Sequence, residues 1–367
     1  VKIVTKKVTK NGKKVTKRIK KTVTKKVRKN VIAMYDNSGV LRSEMPLEAN
    51  VAKNMQIIYD NIVYPCSANK FTRINDLGQV TRIYQVNGYK QDGEFAYDGY
   101  GNIYFIASAL GKKTSRNSRI MSLELETGKV SLALDFDNFL SEMYKKSGKK
   151  ANWIDINSVQ VCGTNKLIIS SKSLSSIFKV SNVGSLLPKL DYIIADKDIW
   201  AKCKNLKKKV LKKYSKDDAD ESATADPSAT DDTDSIESIL NQGKKKPDPF
   251  RSQYGQNALT SNSSGTLITM LNNNAGKYAK KSNGKSYYYQ FKVNESAKNY
   301  RVSQKKAFEK TSNNGNIIKG DSRYIYCCSD KGKFIETDSA GKLIKGFKTG
   351  GRPYRVYKND WKNFWFY

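Results

Sequence analysis

The sequence predicts an all-β fold, and within that class a six-bladed β-propeller. Three observations predict it. A hairpin pattern, two alternating apolar strands about a polar turn, recurs six times along the chain. A short apolar strand after a polar turn precedes most of these copies. Glycine and asparagine are plentiful while only 7 of the 367 residues are proline, which suits a chain of many turns.

The elements follow in order. Residues 1–30, "VKIVTKKVTKNGKKVTKRIKKTVTKKVRKN", hold 14 Lys/Arg and no acid. Their Val/Thr/Ile alternation about Asn11-Gly12 is compatible with a Lys-rich hairpin. Charge repulsion and the marginal stability of a lone two-stranded ribbon favour instead an extended arm or stalk. The hairpins are "VIAMYDNSGVLRSEMPL" (31–47), "FTRINDLGQVTRIYQV" (71–86), "RIMSLELETGKVSLALD" (119–135) and "SIFKVSNVGSLLPKLDYII" (176–194). A weaker copy is "YYYQFKVNESAKNYRV" (287–302), and "GKFIETDSAGKLIKGF" (332–347) is the sixth. Leading strands include "GYGNIYFIAS" (99–108), "GTNKLIISS" (163–171) and "GDSRYIYCCS" (320–329). A leading strand joined to its hairpin gives three strands of a four-stranded blade, and repeats spaced by roughly 40–55 residues are propeller-like. A pair of β-sandwiches explains the repeat less well.

One insertion, 201–249, interrupts the pattern. It opens with "AKCKNLKKKVLKKYSK", which reads as a basic helix. It continues with "DDADESATADPSATDDTDSIE" (217–237), nine acids and no base, whose composition predicts disorder. The expected organisation is a basic arm over 1–30 and a propeller over 31–367 that carries the charged insertion 201–249.

Composition narrows the function. The formal charge is +33, of which residues 31–367 carry +19. Such a balance favours anionic surfaces: lipid headgroups or cell-wall polymers met through the arm. Nucleic acid is not expected, because no basic motif is interleaved with aromatics. No apolar run is long enough for a membrane span. The chain begins with valine, and the expected location is extracellular or at the cell surface, with any anchoring segment upstream of this chain. The five cysteines form no C-x-x-C pair and there is no histidine, so neither a disulfide framework nor a metal site is expected. No cofactor is expected either.

The stretch "ANWIDINSVQV" (151–161) concentrates Trp, Asp, Asn and Ser as a site would. Around it, several local motifs occur in a telling order. "TGKVSLALDFDNFL" (127–140) has a Thr-Gly-Lys-Val strand before an Asp-rich, Phe-Leu segment. "NWIDINSVQV" (152–161) is similar to a Trp-x-His-x-Asn-Ser-Val motif. "NKLIISSKSLSSIFKV" (165–180) resembles a strand ending in Ser-Ser-Arg. "DYIIADKDIW" (191–200) resembles Trp-Ile-Leu-Gly-Asp-Pro, "PFRSQYGQNALTSNSSGTLITMLNNN" (249–274) resembles Phe-x-x-Gln-His with its following strand, and "YRVYK" (354–358) resembles a closing Tyr-Arg-x-x-Arg. Together, over residues 95–360, these resemble the bacterial arylsulfotransferase family, whose members are six-bladed propellers.

The resemblance implies sulfuryl transfer from a phenolic sulfate to a phenol, without a nucleotide donor, through a transiently modified histidine. Imidazole is nucleophilic at neutral pH, and cationic donors offset the charge of the transferring group. This chain departs at those positions. Asp155 stands where one histidine is expected and Tyr254, after Gln253, where another is; these two are the candidate catalytic residues. Lys172 replaces the arginine after Ser-Ser. Asn157 and Ser158 are kept, and Arg355 matches the closing motif. With Arg251, Lys172 and Arg355 form a candidate anion-binding cluster. A carboxylate at 155 repels a sulfate ester, and a phenol with its ordinary pKa of about 10 needs activation to attack. The expected protein is therefore a degenerate arylsulfotransferase-like propeller that binds a phenolic or sulfated small molecule. The alternatives are an active enzyme with a non-histidine nucleophile and a surface adhesin for anionic polymers.

Overall fold

The computed structural model describes residues 2–10, 12–21, 29–47, 53–111, 114–214, 253–275 and 284–359. Its main body is a β-propeller of five four-stranded antiparallel blades, not six. Blade I comprises Gln56–Ile58, Asn61–Ser67, Lys70–Ile74 and Val80–Gln85. Blade II comprises Tyr89–Tyr97, Asn102–Ala109, Arg119–Glu124 and Val130–Asp135. Blade III is Ile156–Val161, Leu167–Ser171, Ser176–Ser181 and Lys189–Ile194. Blade IV is Gln256–Ser261, Leu267–Asn272, Lys285–Asn294 and Asn299–Glu309. Blade V is Ile317–Lys319, Arg323–Cys328, Lys333–Asp338 and Leu343–Lys348.

The expected sixth blade is the correction. The first repeat contributes only the hairpin Val31–Tyr35 and Leu41–Pro46, a sheet of two strands. Among the described residues no inner strand pairs with it. It bridges the ring instead. On one side Ile32 and Met45 pack on the Leu47, Met55, Ile62, Tyr64 and Ile74 cluster of blade I. On the other, Tyr35 meets Phe334 and Phe347 of blade V edge-on at 5.5 and 6.2 Å. A groove of about 1000 Å³ remains between this hairpin, blade V and the segment 349–359.

The blades adhere through apolar layers that the period-two alternation supplies. Phe71, Tyr84, Phe95 and Phe105 join blades I and II. Phe136, Trp153, Ile169 and Phe178 join II and III. Ile177, Tyr192, Tyr289 and Phe291 join III and IV, and Tyr288, Phe308, Tyr324 and Tyr326 join IV and V. Removing one such ring leaves a cavity and costs about 3–5 kcal/mol.

Two further expectations change. The run 201–214 is not a helix. It holds a single 3-10 turn, Leu206–Lys209, then the strand Lys212–Lys213, which pairs in parallel with the outer edge of blade IV at Asn299 and Tyr300. Burial of Cys203 and Leu211 with solvation of the lysines between them suits a strap better than a helix. The acidic run 217–237 lies wholly outside the described residues. The arm is not extended either: Lys2–Lys10 pairs antiparallel with Lys13–Lys21 about Asn11-Gly12. Gly12, at φ 73°, supplies the left-handed turn residue between the two strands.

Candidate functional site

The first strands of blades I to IV pack in succession about the axis, and in blades III, IV and V the chain enters through a residue in the left-handed region. In blades IV and V that residue is Gly255 (φ 64°) and Gly315 (φ 85°). A side chain at Gly315 would place a Cβ 2.4 Å from the Cys327 carbonyl oxygen, so only glycine fits. In blade III the same role falls to Asp155 (φ 43°). Asp tolerates this conformation better than most residues.

These entries place a girdle of carboxamides about the axis. Asn54 Nδ2 donates to the Phe95 carbonyl at 2.9 Å, and Asn157 Nδ2 to the Gln256 carbonyl at 2.6 Å. Asn257 Nδ2 donates to the Gly315 carbonyl at 3.2 Å, and Asn316 Nδ2 to the Val356 carbonyl at 2.8 Å. The first three bonds tie the start of one blade to that of the next, and the fourth ties the start of blade V to the closing segment. Ser170 Oγ donates to Asn157 Oδ1 at 2.9 Å, which fixes that amide's orientation.

Above the girdle lies a polar cavity of about 110 Å³. Its cations are Lys53, Arg116 and Lys172, its carboxylates Asp92 and Asp155. Lys53 Nζ is 2.8 Å from Asp92 Oδ2. Asn117 Nδ2 bridges the two acids, 3.0 Å from Asp92 Oδ2 and 3.1 Å from Asp155 Oδ1. Arg116 Nε lies 3.9 Å from Asp155 Oδ1 with its side chain 68% exposed. Lys172 forms no ion pair among the described residues; its Nζ donates to Asn313 Oδ1 at 3.2 Å. Three cations against two carboxylates leave the lining with one net positive charge, centred on the Arg116 and Lys172 side. Asn257, Asn273, Asn313 and Asn314 complete the wall with amide groups.

Asp155, Asn157 and Lys172 thus line one cavity. Ser158, next along the strand, points the other way; it is fully buried and its Oγ has no hydrogen-bond partner among the described residues. Tyr254 is buried behind Gly255 and is not part of the cavity wall. Arg355 is buried in an ion pair with Glu94 at 2.8 Å, so it is a clamp on the terminal segment and does not line the cavity. Arg251 lies outside the described residues. Trp153 is structural: its Nε1 donates to Asp137 Oδ1 at 2.8 Å, and its ring tilts against Tyr144. Lys53, Asp92, Arg116 and Asn117 were not singled out from sequence. The signal that would have found Asp92 is the glycine after it: Gly93 (φ 103°) puts a left-handed residue within the first strand of blade II, as Gly255 and Gly315 put one ahead of those of blades IV and V.

No histidine or thiol lines the cavity, and its phenol, Tyr354, donates to Glu94 Oε1 at 2.5 Å. Among the described residues no group of three or more Cys, Asp or Glu side chains is placed to hold a metal ion. No described helix is long and apolar enough to cross a membrane.

The family described as Arylsulfotransferase (ASST) matches residues 4–346, nearly the whole chain. This chain belongs to the arylsulfotransferase family. No curated protein sequence matches this family member. Among solved structures it is similar to the virginiamycin B lyase from Staphylococcus aureus, at 13% identity and a TM-score of 0.43, over 90% of this chain and 82% of that one. It is also similar to a putative 6-phosphogluconolactonase from Bacteroides uniformis, at 9% identity and a TM-score of 0.44, over 88% and 79% of the two chains. Likeness at these scores carries no argument about what this arylsulfotransferase relative does.

Proposed function

We propose that this chain is an arylsulfotransferase-family propeller that binds a monoanionic sulfate ester in its central cavity and does not transfer the sulfuryl group. One observation carries the reading: the motif position where the family resemblance expects histidine is Asp155, and it lines a cavity that contains no other nucleophile suited to a sulfuryl centre. A carboxylate attacking a sulfate ester meets like-charge repulsion and would form a labile mixed anhydride. The cations and amides around it still suit an oxyanion. One net positive charge matches the single charge of a sulfate monoester, and the carboxamides offer donors without adding charge. A cavity of about 110 Å³ holds the sulfate group, leaving an aryl ring at its mouth.

The test is calorimetry with 4-nitrophenyl sulfate, with a nitrophenol-release assay run beside it in the presence of a phenol acceptor. Binding is expected, and Lys172→Met is expected to weaken it by about ten- to a hundredfold, as loss of one charge-assisted hydrogen bond of roughly 1.5–3 kcal/mol would. Nitrophenol release is expected to stay at the uncatalysed rate. Turnover that disappears in Asp155→Asn would show a carboxylate nucleophile and overturn the reading.

A further inference from the structure

The N-terminal ribbon is a second charged feature, separate from the cavity. Its register sorts the residues into two alternating sets of rungs. One set runs Lys2·Lys21, Val4·Ile19, Lys6·Lys17, Val8·Val15 and Lys10·Lys13. The other runs Ile3·Lys20, Thr5·Arg18, Lys7·Thr16 and Thr9·Lys14. The first set alternates double-lysine rungs with aliphatic rungs. Every rung of the second carries a single cation. The pairing has a sequence origin: Val4-Thr5-Lys6-Lys7-Val8 and Val15-Thr16-Lys17-Arg18-Ile19 are two similar pentapeptides, lying antiparallel with Lys6 opposite Lys17. A third, Val23-Thr24-Lys25-Lys26-Val27, follows in the sequence.

Lysines directly opposite one another destabilise a strand pair, and a two-stranded ribbon is marginal without further support. Among the described residues the two strands pair only with each other. Double-lysine rungs recur every fourth residue, about 13–14 Å apart along the strand, with single cations between them. This arrangement lacks only neutralisation, and a linear polyanion laid along the ribbon would provide it.

We propose that the ribbon Lys2–Lys21 binds an extended polymer bearing phosphate or sulfate groups and no bases, and that binding stabilises the ribbon. A bilayer fits less well, since both sets of rungs carry cations and neither offers an apolar face to bury. Nucleic acid fits less well, since residues 1–30 contain no aromatic residue on which a base can stack.

The experiment titrates the intact chain with inorganic polyphosphate and, in a parallel arm, dextran sulfate, each across a salt series. Counterion release predicts a fall in affinity of about a thousandfold between roughly 50 and 200 mM salt when six or more cations engage. Converting Lys6, Lys10, Lys13 and Lys17 to Gln removes two double-lysine rungs and is expected to flatten the slope of log K against log salt by about 3. Gly12→Pro keeps every charge but breaks the turn, and is expected to weaken binding. Amide protection over residues 2–21 is expected to rise on polymer addition. The tighter of the two polymers at matched charge density identifies phosphate or sulfate as the natural group. Unchanged binding in the glutamine variant overturns the site. Unchanged binding in Gly12→Pro with no gain in protection overturns the ordered ribbon. Tighter binding to phosphatidylserine vesicles or to single-stranded DNA of equal charge overturns the choice of partner.

Discussion

Arg355 Nη2 stands 2.8 Å from Glu94 Oε2, joining residues 261 positions apart in the sequence. Tyr354 donates to the other oxygen of the same carboxylate. Tyr357 donates to Asn54 Oδ1 and accepts from the Met55 amide at 3.4 Å. The closing segment thereby clamps blades I and II, in a ring where the first repeat supplies only a hairpin. Burial pushes the Glu94 carboxyl up, and Arg355 and Tyr354 oppose it. Burial also works against the Arg355 charge, but Glu94 and Tyr357 outweigh it and hold the guanidinium above its ordinary value. Leaving either charge buried alone costs about 3–5 kcal/mol. Arg355→Ala or Glu94→Ala is therefore expected to lose that amount in urea unfolding. The double substitution Glu94→Leu with Arg355→Met is expected to lose less than either single one. A double variant that shows the sum of the two losses would count against a coupled clamp.

Asp155 sits in the left-handed region and faces both Asn117 and Arg116 across the cavity. Asn tolerates the same backbone, so Asp155→Asn is expected to leave stability within about 0.5 kcal/mol. It also removes a carboxylate from an anion site. Affinity for 4-nitrophenyl sulfate is expected to rise several-fold at low salt, since roughly 1 kcal/mol of repulsion is lost. Asp155→Ala, in contrast, is expected to cost about 1 kcal/mol through the strained φ. Weaker binding by Asp155→Asn would mean that the carboxylate holds the ligand.

Asn157 and Asn257 bond one inner strand to the next, so their loss should be felt as stability even without ligand. Each leaves a buried carbonyl without its donor, at about 1–3 kcal/mol. The two sites share blade IV: Asn157 donates to Gln256, next to Asn257. Asn157→Ala and Asn257→Ala combined are expected to depart from additivity, measured as a thermodynamic cycle in urea. Strict additivity would mean that the girdle bonds act singly.

Much of this was legible in the sequence, and what was not has identifiable causes. Hairpins such as 119–135 and 176–194 announce themselves because alternation and turn residues are local. Blade number is not local: the 31–47 hairpin carries the same signature as the others, and what sets it apart is that no inner strand pairs with it among the described residues. Motif order brought Asp155, Asn157 and Lys172 to one cavity, because antiparallel pairing of Ile156 with Ser171 sets Asp155 and Lys172 side by side at the same end of blade III. It misplaced Tyr254, since a left-handed Gly255 turns the chain between that ring and the axis. Arg355 reads as an anion ligand until its partner is known, and Glu94 lies on another blade. The 201–214 run looks helical by composition, yet strand pairing at Asn299 and Tyr300 decides it.

The thiols give the chain a pH signature. Burial pushes Cys327 up to about 12 and Cys162 up to about 11. The ordinary thiol value is about 8.5. A group whose pKa is raised by folding contributes its stability in full below the unfolded value and loses it as pH rises toward the folded one. Stability is thus expected to fall from about pH 9 upward, by about 1.4 kcal/mol per pH unit for Cys327 alone. Cys327 is wholly buried, with its Sγ 3.6 Å from the Pro353 carbonyl that begins the closing clamp. Cys327→Ala lowers stability at every pH through the cavity it leaves, but is expected to flatten the slope between about pH 9 and 10, before most tyrosines titrate. Thiol labelling supplies the independent check. Cys66 is half-buried and the other four are buried, so at about pH 8, below the ordinary thiol pKa, a disulfide reagent is expected to modify Cys66 quickly and the rest only on unfolding. Rapid native labelling of Cys327, or an unchanged slope in its alanine variant, would show that the inner face of blade V opens to solvent far more readily than its packing against the closing segment allows.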